Sequence, residues 1–418
     1  MKILYLCSDA GIPILGRKGA AVHVREMVGA FTRAGHEVLV AAPVLNKSPW
    51  ESPASLAGSL LPPRTGNSLT GAAAAVKEFL ALLGVDSPLP GELRRILQVH
   101  ELAADLRKRL EGDRPDFIYE RAAIFGTAGL ALARAWQVPL LVELNAPLAG
   151  EQAAYRGSSL GPLATEAERT LLSGADAVLT VSETLRRHAL AHGAAARRVQ
   201  VLPNGVNPAL FHPAPPDPAL RARLGLAPGP VLGFVGGLRP WHGVETLPAL
   251  LQQLRRRHPG LQLVIAGDGQ LRPALDQALR QRRLLAHTVF TGALPHEEVP
   301  AIIRLFDLAL APYPRLDHDF YFSPLKLYEY MACGIPTVAS RAGQISELIR
   351  HGRNGLLCPA GNTAALAAAC DRLLRDERLR QSLGHAAART IASRYTWDAN
   401  AGRAVTLAER LIRARSRA

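Results

Sequence analysis

Short apolar runs recur along this chain, and most end in a turn containing glycine or proline. Between them lie longer stretches with apolar positions three and four apart. That alternation predicts buried strands joined by amphipathic helices, the pattern of parallel α/β sheets. Lys2–Ser8 predicts the first strand. Val24, Met27, Val28 and Phe31 mark one helical face, Gly35 closes that helix, and Glu37–Ala42 predicts the next strand. Further strands are predicted at Asp116–Glu120, Val138–Asn145, Ala175–Ser182 and Val199–Pro203, the last running into the turn Pro203-Asn204-Gly205. After a proline-rich stretch, His212–Pro218, the alternation restarts with Val231–Val235, Leu261–Ala266, Thr288–Thr291, Leu308–Ala311, Pro336–Ser340 and Gly355–Cys358.

The pattern fails from Leu45 to about Gly91, where Ser, Pro and Gly dominate and only Ala72–Leu83 reads as a helix. Segments this long without regular structure are commonly functional. A basic amphipathic helix, Glu92–Leu110, follows. At 418 residues the chain exceeds one ordinary core. Residues 1–211 and 212–395 predict two doubly wound domains, with His212–Pro218 as the linker. Doubly wound domains carry ligand loops at their strand C-termini, which leaves a cleft between the two.

Composition narrows the function. Hydrophobic residues at 48% and charged residues at 20% describe a folded chain rather than a disordered one. Cys7, Cys333, Cys358 and Cys370 show neither metal-ligand spacing nor a disulfide framework, which points to a reducing compartment. The N-terminus enters its strand directly, without the order of a signal peptide, and no run reaches the ~18 apolar residues of a membrane span. A cytoplasmic protein is expected. The net charge of +14 is spread in short clusters, and aromatic residues, only 5%, are not interleaved with them. A stacking platform for nucleic acid is therefore not expected, and peripheral contact with the inner face of a membrane is the stronger option. The second strand ends in Ala41-Ala42-Pro43, without the carboxylate that a dinucleotide site wants for its ribose.

The stretch Phe322–Ser340 concentrates the candidate chemistry. Ser323 suits an N-cap, Pro324 the first helical position, and Leu325 begins the periodic face. Lys326 stands in the first turn, where it opposes the helix dipole, so stability alone does not account for it. Glu329 lies three residues on, along nearly the same face. A helix start with a cation and a carboxylate suits a nucleotide diphosphate and a hydroxylated sugar. The plain alternative is an i,i+3 surface ion pair. Near the N-terminus, Gly16, Lys18 and Gly19 form a loop whose glycines let backbone approach an anion.

In order along the chain stand this glycine loop with His23–Glu26, ELNAPL at Glu143–Leu148, VSETL at Val181–Leu185 and PNGVN at Pro203–Asn207. FVGGLRPWHG at Phe234–Gly243, IAGDG at Ile265–Gly269 and SPLKLYEYMACG complete the set. Together they resemble the retaining GT-B glycosyltransferases of family GT4, the glycosyl transferases group 1. The resemblance implies two Rossmann-like domains facing across a cleft, with residues 396–418 forming a C-terminal helix that returns to the first. It implies transfer of a hexosyl-type sugar from a nucleotide-diphosphate sugar to an acceptor hydroxyl, with retention, in bacterial glycan, glycolipid or glycosylated-metabolite synthesis. No metal or cofactor is implied beyond the donor itself, and the acceptor would be a sugar, a lipid-linked or a small molecule. Catalytic roles fall to Lys326, Arg239, Glu329 and His23. Donor contacts fall to Gly237, His242, Ser323, Pro324, Leu325, Tyr321, Thr291, Gly16 and Gly19, and acceptor or cleft contacts to Lys18, Arg121, Glu143 and Asn145.

Two positions depart from the family pattern. The first glutamate of E-x7-E is Tyr321 here, and the Arg and Lys of G-R-x-x-x-x-K-G are Gly237 and His242. Arg239 offers a shifted positive charge, and Asp317 or Asp319 a shifted carboxylate. Those departures keep open a catalytically weak sugar-nucleotide-binding partner protein; a GT-B nucleotide-sugar epimerase, which would need acid/base carboxylates in the cleft, is the other alternative.

Overall fold

A parallel sheet must be covered on both faces, so its central strands read as continuous apolar runs. The computed structural model, which describes residues 1–46, 53–62 and 67–417, contains two such sheets in two compact units.

The first unit comprises Met1–Pro203 with Asp398–Ala418. Its strands are β1 (Lys2–Cys7), β2 (Glu37–Ala41), β3 (Ser59–Leu61), β4 (Phe117–Arg121), β5 (Leu140–Leu144), β6 (Ala177–Thr180) and β7 (Val199–Val201). All pair in parallel in the order β3-β2-β1-β4-β5-β6-β7. The order reverses between β1 and β4, which is where open α/β sheets place ligands, outside the strand C-termini. Register sets Cys7 beside Arg121 and Arg121 beside Glu143, so polar groups gather at that end of buried strands.

The second unit is Asn204–Trp397. Its strands are β8 (Val231–Val235), β9 (Gln262–Ala266), β10 (Thr288–Gly292), β11 (Leu308–Ala311), β12 (Thr337–Arg341) and β13 (Leu356–Pro359), parallel in the order β10-β9-β8-β11-β12-β13. Alternate residues feed two core layers: Val231, Val235 and Ala309 enter one, Leu232, Phe234 and Leu308 the other. The reversal lies between β8 and β11, so the loops 236–243 and 312–324 stand at the ligand edge.

Three expectations need correction. The unit boundary falls at Pro203/Asn204 rather than after residue 211, and the second unit ends at Trp397 rather than at residue 395. Backbone contact is the reason: Val206 bridges Thr396, and a Cβ on Gly205 would stand 2.6 Å from the Trp397 nitrogen. His212–Pro218 therefore lies within the second unit, where the His212 carbonyl accepts from Arg304 at 3.2 Å. From Asp398 on, the terminal helix Trp397–Arg415 is held in the first unit, where Asp398 pairs with Arg33 at 2.7 Å and Arg415 with Asp176 at 2.8 Å.

The segment 45–91 is also more regular than its composition suggests. It holds the edge strand β3 and the helix Asn67–Leu82, which begins five residues before the expected start at Ala72. A three-residue edge strand with half-exposed side chains leaves no alternation to read. Residues 47–52 and 63–66 of that segment lie outside the described residues. The basic helix starts at Leu89, and Glu92 within it is buried, accepting from the Ser158 hydroxyl at 2.5 Å and the Ser159 and Leu160 N–H groups at 2.9 and 3.1 Å.

The core of the second unit depends on a missing side chain. A Cβ on Gly233 in β8 would fall inside the ring of Phe306. Gly233→Ala should cost about 1–3 kcal/mol by overpacking, seen as a lower thermal midpoint. Gly91→Ala, with no atom within 4 Å of the added carbon, should leave the midpoint unchanged or slightly raised.

Candidate functional site

The helix Leu325–Ala332 starts beneath the ligand edge of the second unit. Ser323 does not cap it, contrary to expectation. Pro324 holds the cap position with extended backbone, and no side chain caps the first turn. The Ser323 hydroxyl instead accepts the Asn204 N–H at 3.1 Å and lies 3.0 Å from the Tyr328 hydroxyl, while the Asn204 amide donates to the Ser323 carbonyl at 2.6 Å. Asn204 thus braces the approach to the helix rather than only its own turn. The first-turn N–H groups are left without a side-chain acceptor.

Lys326 is buried, and its ammonium has no hydrogen-bond partner among the described residues. It lies 4.1 Å from the ring centre of Phe234 and 5.6 Å from that of Tyr313. Gly236 adopts φ 135°, a backbone conformation that L side chains rarely take, so the loop 236–243 runs past Lys326 as glycine. Burial pulls the Lys326 pKa down to about 7, with the Glu329 carboxylate opposing. His242 Nδ1 lies 2.5 Å from the Gly237 carbonyl. Burial, and then the Lys326 charge, push its pKa down to about 3, so it is a neutral donor that braces this loop. The second family cation is therefore absent in charge as well as in residue type.

Arg239, the expected substitute, donates to Gln270 Oε1 at 2.9 Å and lies 6.0 Å from the Trp241 ring centre. Thr291 donates its hydroxyl to the Gly292 carbonyl at 3.0 Å. Tyr321 is buried and stacked on His318 at 5.4 Å, while Asp317 and Asp319 are exposed. Glu329 is buried and does not pair with Lys326. Its Oε1 lies 2.8 Å from Nε2 of His296, a residue the sequence reading did not single out. His296 stands in a short 3-10 turn after β10, and nothing in its local pattern announces a contact 33 residues away.

In the first unit, one carboxylate gathers the expected residues. Glu143 Oε1 lies 2.7 Å from His23 Nε2, 3.1 Å from Arg121 Nη1 and 2.6 Å from the Asn145 amide nitrogen. Its Oε2 accepts from the Tyr119 hydroxyl at 2.5 Å. Burial alone would raise its pKa, but His23, Arg121 and Tyr119 hold it down at about 2. Tyr119 was not foreseen: it reads as one more apolar residue of β4, and only the register with β1 and β5 brings its hydroxyl to Glu143. The loop after β1 is braced by Arg25, which donates to the Ile14 and Gly16 carbonyls at 2.8 and 2.6 Å. Lys18 occupies the cap position of the helix Gly19–Arg33 and makes no side-chain cap, and Gly19 is the first helical residue.

Each unit is a parallel doubly wound sheet, with a buried cation at a helix start in one and a buried polar cluster in the other. The chain belongs to the family 4 glycosyltransferases. Residues 17–210 match the Glycosyltransferase Family 4 profile and residues 229–376 the Glycosyl transferases group 1 profile. It is 28% identical to glycogen synthase of Mycobacterium tuberculosis over 405 residues, 95% of this chain and 92% of that protein. It is 30% identical to alpha-D-kanosaminyltransferase of Streptomyces kanamyceticus over 279 residues, 64% and 69% of the two chains. Among solved structures it resembles sucrose-phosphate synthase of Thermosynechococcus elongatus, with a TM-score of 0.76 at 20% identity over 99% and 100% of the two chains. HepE of Anabaena, in complex with UDP, gives a TM-score of 0.67 at 21% identity over the full length of both. The fold is GT-B, and the protein is a glycosyltransferase.

A second carboxylate in β4 has a different fate. Glu120 is fully buried, and its Oε2 has no hydrogen-bond partner in the described structure. Burial raises its pKa from 4.5 to about 7, with the Gly129 N–H and the Ser8 hydroxyl opposing. The raised value makes the folded state the better proton binder. Stability from this group is therefore full below pH ~4.5 and is lost as pH rises through about 7. The loss amounts to about 3 kcal/mol. Glu120→Gln should flatten this slope, so that thermal midpoints measured from pH 5 to pH 8 fall less than in the parent.

Proposed function

We propose that this glycosyltransferase transfers a hexosyl-type sugar from a nucleotide-diphosphate sugar to an acceptor hydroxyl, with retention at the anomeric carbon. The observation that carries the reading is the buried, unpartnered ammonium of Lys326 beside an uncapped helix start. A buried charge without a partner is costly, so an anionic ligand is its natural complement. Departure of a nucleoside diphosphate leaves negative charge that fixed cations and helix-end N–H groups stabilise without rearranging. Lys326 and the backbone of Ser323–Leu325 would meet the diphosphate, and Glu329 would accept from the ribose hydroxyls. Arg239 would join as a second cation on leaving Gln270. The positive charge needed comes from the chain itself, so the reading calls on no cofactor.

Relatives support a nucleotide-sugar donor without agreeing on one. A phosphatidylinositol monomannoside mannosyltransferase of Mycolicibacterium smegmatis, 32% identical over 255 residues, is GDP-mannose-dependent, while HepE was solved with UDP-glucose. In the first unit, His23, Arg121 and Asn145 would face sugar hydroxyls, with Gly16, Lys18 and Gly19 shaping the loop beside them. Both Glu143 oxygens are already engaged and its pKa is about 2, which suits an orienting carboxylate and not the proton-shuttling acid of an epimerase. Incubation with a panel of UDP-, GDP- and ADP-sugars should release nucleoside diphosphate. Inversion at C2 of the free donor would favour the epimerase, and binding without turnover would favour the non-catalytic partner protein.

Lys326→Ala should lower kcat by ~10²–10³ with little change in thermal midpoint, while the exposed control Arg378→Ala turns over like the parent. Glu329→Ala should raise KM at least as much as it lowers kcat. Binding of diphosphate raises the Lys326 pKa from about 7, so UDP or GDP should bind with proton uptake near pH 7.5 and more weakly as pH rises. Calorimetry in buffers of different ionisation enthalpy reads that uptake directly. Unchanged turnover in Lys326→Ala would leave the helix start a structural feature only.

Contact with a membrane from the cytoplasmic side, presenting a lipid-linked acceptor, is part of the same proposal. Among the described residues, no helix is long and apolar enough to cross a membrane. Exposed Phe79, Leu82, Leu83 and Val85 lie at the end of the helix Asn67–Leu82 and just beyond it. Arg94, Arg107 and Lys108 are exposed on the next helix, whereas Arg95 donates to Gln152 and Arg109 to Asp105. The protein should co-sediment with anionic vesicles at low salt and be released by high salt. Sedimentation indifferent to both would remove membrane contact from the reading.

A further inference from the structure

We propose that His296 is a positioning residue that holds Glu329 away from Lys326 and sets it for the ribose of the donor. This rests on the reading above in which Glu329 accepts from that ribose. Lys326 and Glu329 stand three residues apart on one helix, the spacing at which opposite charges ordinarily pair. Both are buried, where such attraction is stronger than at a surface. Yet no ion pair joins them. Glu329 turns instead to His296, whose Nε2 lies 2.8 Å from Oε1, with the two side chains only 12% and 9% exposed.

The imidazole is itself fixed. Its turn, His296–Glu298, follows β10 through Gly292, which adopts a left-handed backbone at φ 72°, and Pro295. The ring lies 5.1 Å from that of Phe211, which is buried in the core of the unit. With Oε1 engaged by His296, Oε2 is the oxygen assigned to the ribose hydroxyls. Two consequences follow from the same contact. The carboxylate is held ready for a hydroxyl pair, and the ammonium of Lys326 stays unneutralised for the diphosphate. Without His296, Glu329 would be free to swing to Lys326 and silence both.

The test compares UDP and GDP with their 2′,3′-dideoxy forms, in the parent and in His296→Phe, His296→Gln and Glu329→Ala. In the parent, the ribose hydroxyls should be worth about tenfold in affinity for whichever nucleotide binds. His296→Phe should shrink that gap toward unity and raise donor KM, and His296→Gln, which keeps an N–H donor, should recover part of it. A role confined to packing would weaken both forms of the nucleotide equally and leave the gap intact. If Glu329→Ala closes the gap and a folded His296→Phe keeps it, the inference is overturned alone. A gap that survives Glu329→Ala overturns the ribose reading, and the inference with it.

Discussion

The structure of the second unit turns on an ammonium buried without a counter-charge. Lys326 is enclosed by aromatic faces and by loop backbone that only glycine could provide. The fold lowers its pKa to about 7 instead of neutralising it with the nearest carboxylate. Its surroundings are arranged to keep that state. Glu329 is held by His296, His242 stays neutral against the Gly237 carbonyl, and Ser323 is tied to Asn204 and Tyr328 instead of capping the helix. Each of these contacts commits a neighbouring polar group to another partner.

The first unit treats buried charge in the opposite way. Glu143 is compensated inside the fold by His23, Arg121, Asn145 and Tyr119, and its pKa falls to about 2. A carboxylate so fully engaged cannot also serve as a mobile base. What it offers is orientation, since the side chains around it come from a strand, a loop and a helix that would otherwise not share a fixed geometry. One unit thus holds its buried charge in balance, and the other leaves a buried cation without a partner among the described residues.

The two sheets share one topological device. In each, the strand order reverses beside the first strand of the unit, between β1 and β4 and between β8 and β11. The loops that follow β1 and β8 carry two of the expected motifs: the glycine loop with Gly16 and Lys18, and the Gly236–Gly243 turn. Those motifs were legible because each needs a residue type with few substitutes, such as glycine at a close backbone approach. Arg239 and Tyr321 show the limit of that legibility. Both lie in the right loops, but their side chains are engaged by Gln270 and His318.

The sequence by itself determined the class of fold and the strands of both sheets apart from β3. Hydrophobic periodicity and turn residues are local signals, readable wherever a strand is buried on both faces. Only the tertiary structure decided that Lys326 and Glu329 do not pair, that His296 and Tyr119 are the groups that orient the carboxylates, and that Ser323 braces a loop rather than a helix. It also decided that the unit boundary falls at Pro203, where backbone contact between Gly205 and Trp397 outweighs the linker-like composition of His212–Pro218. These are choices among partners far apart in the chain, and they depend on distance and burial, which no local pattern records.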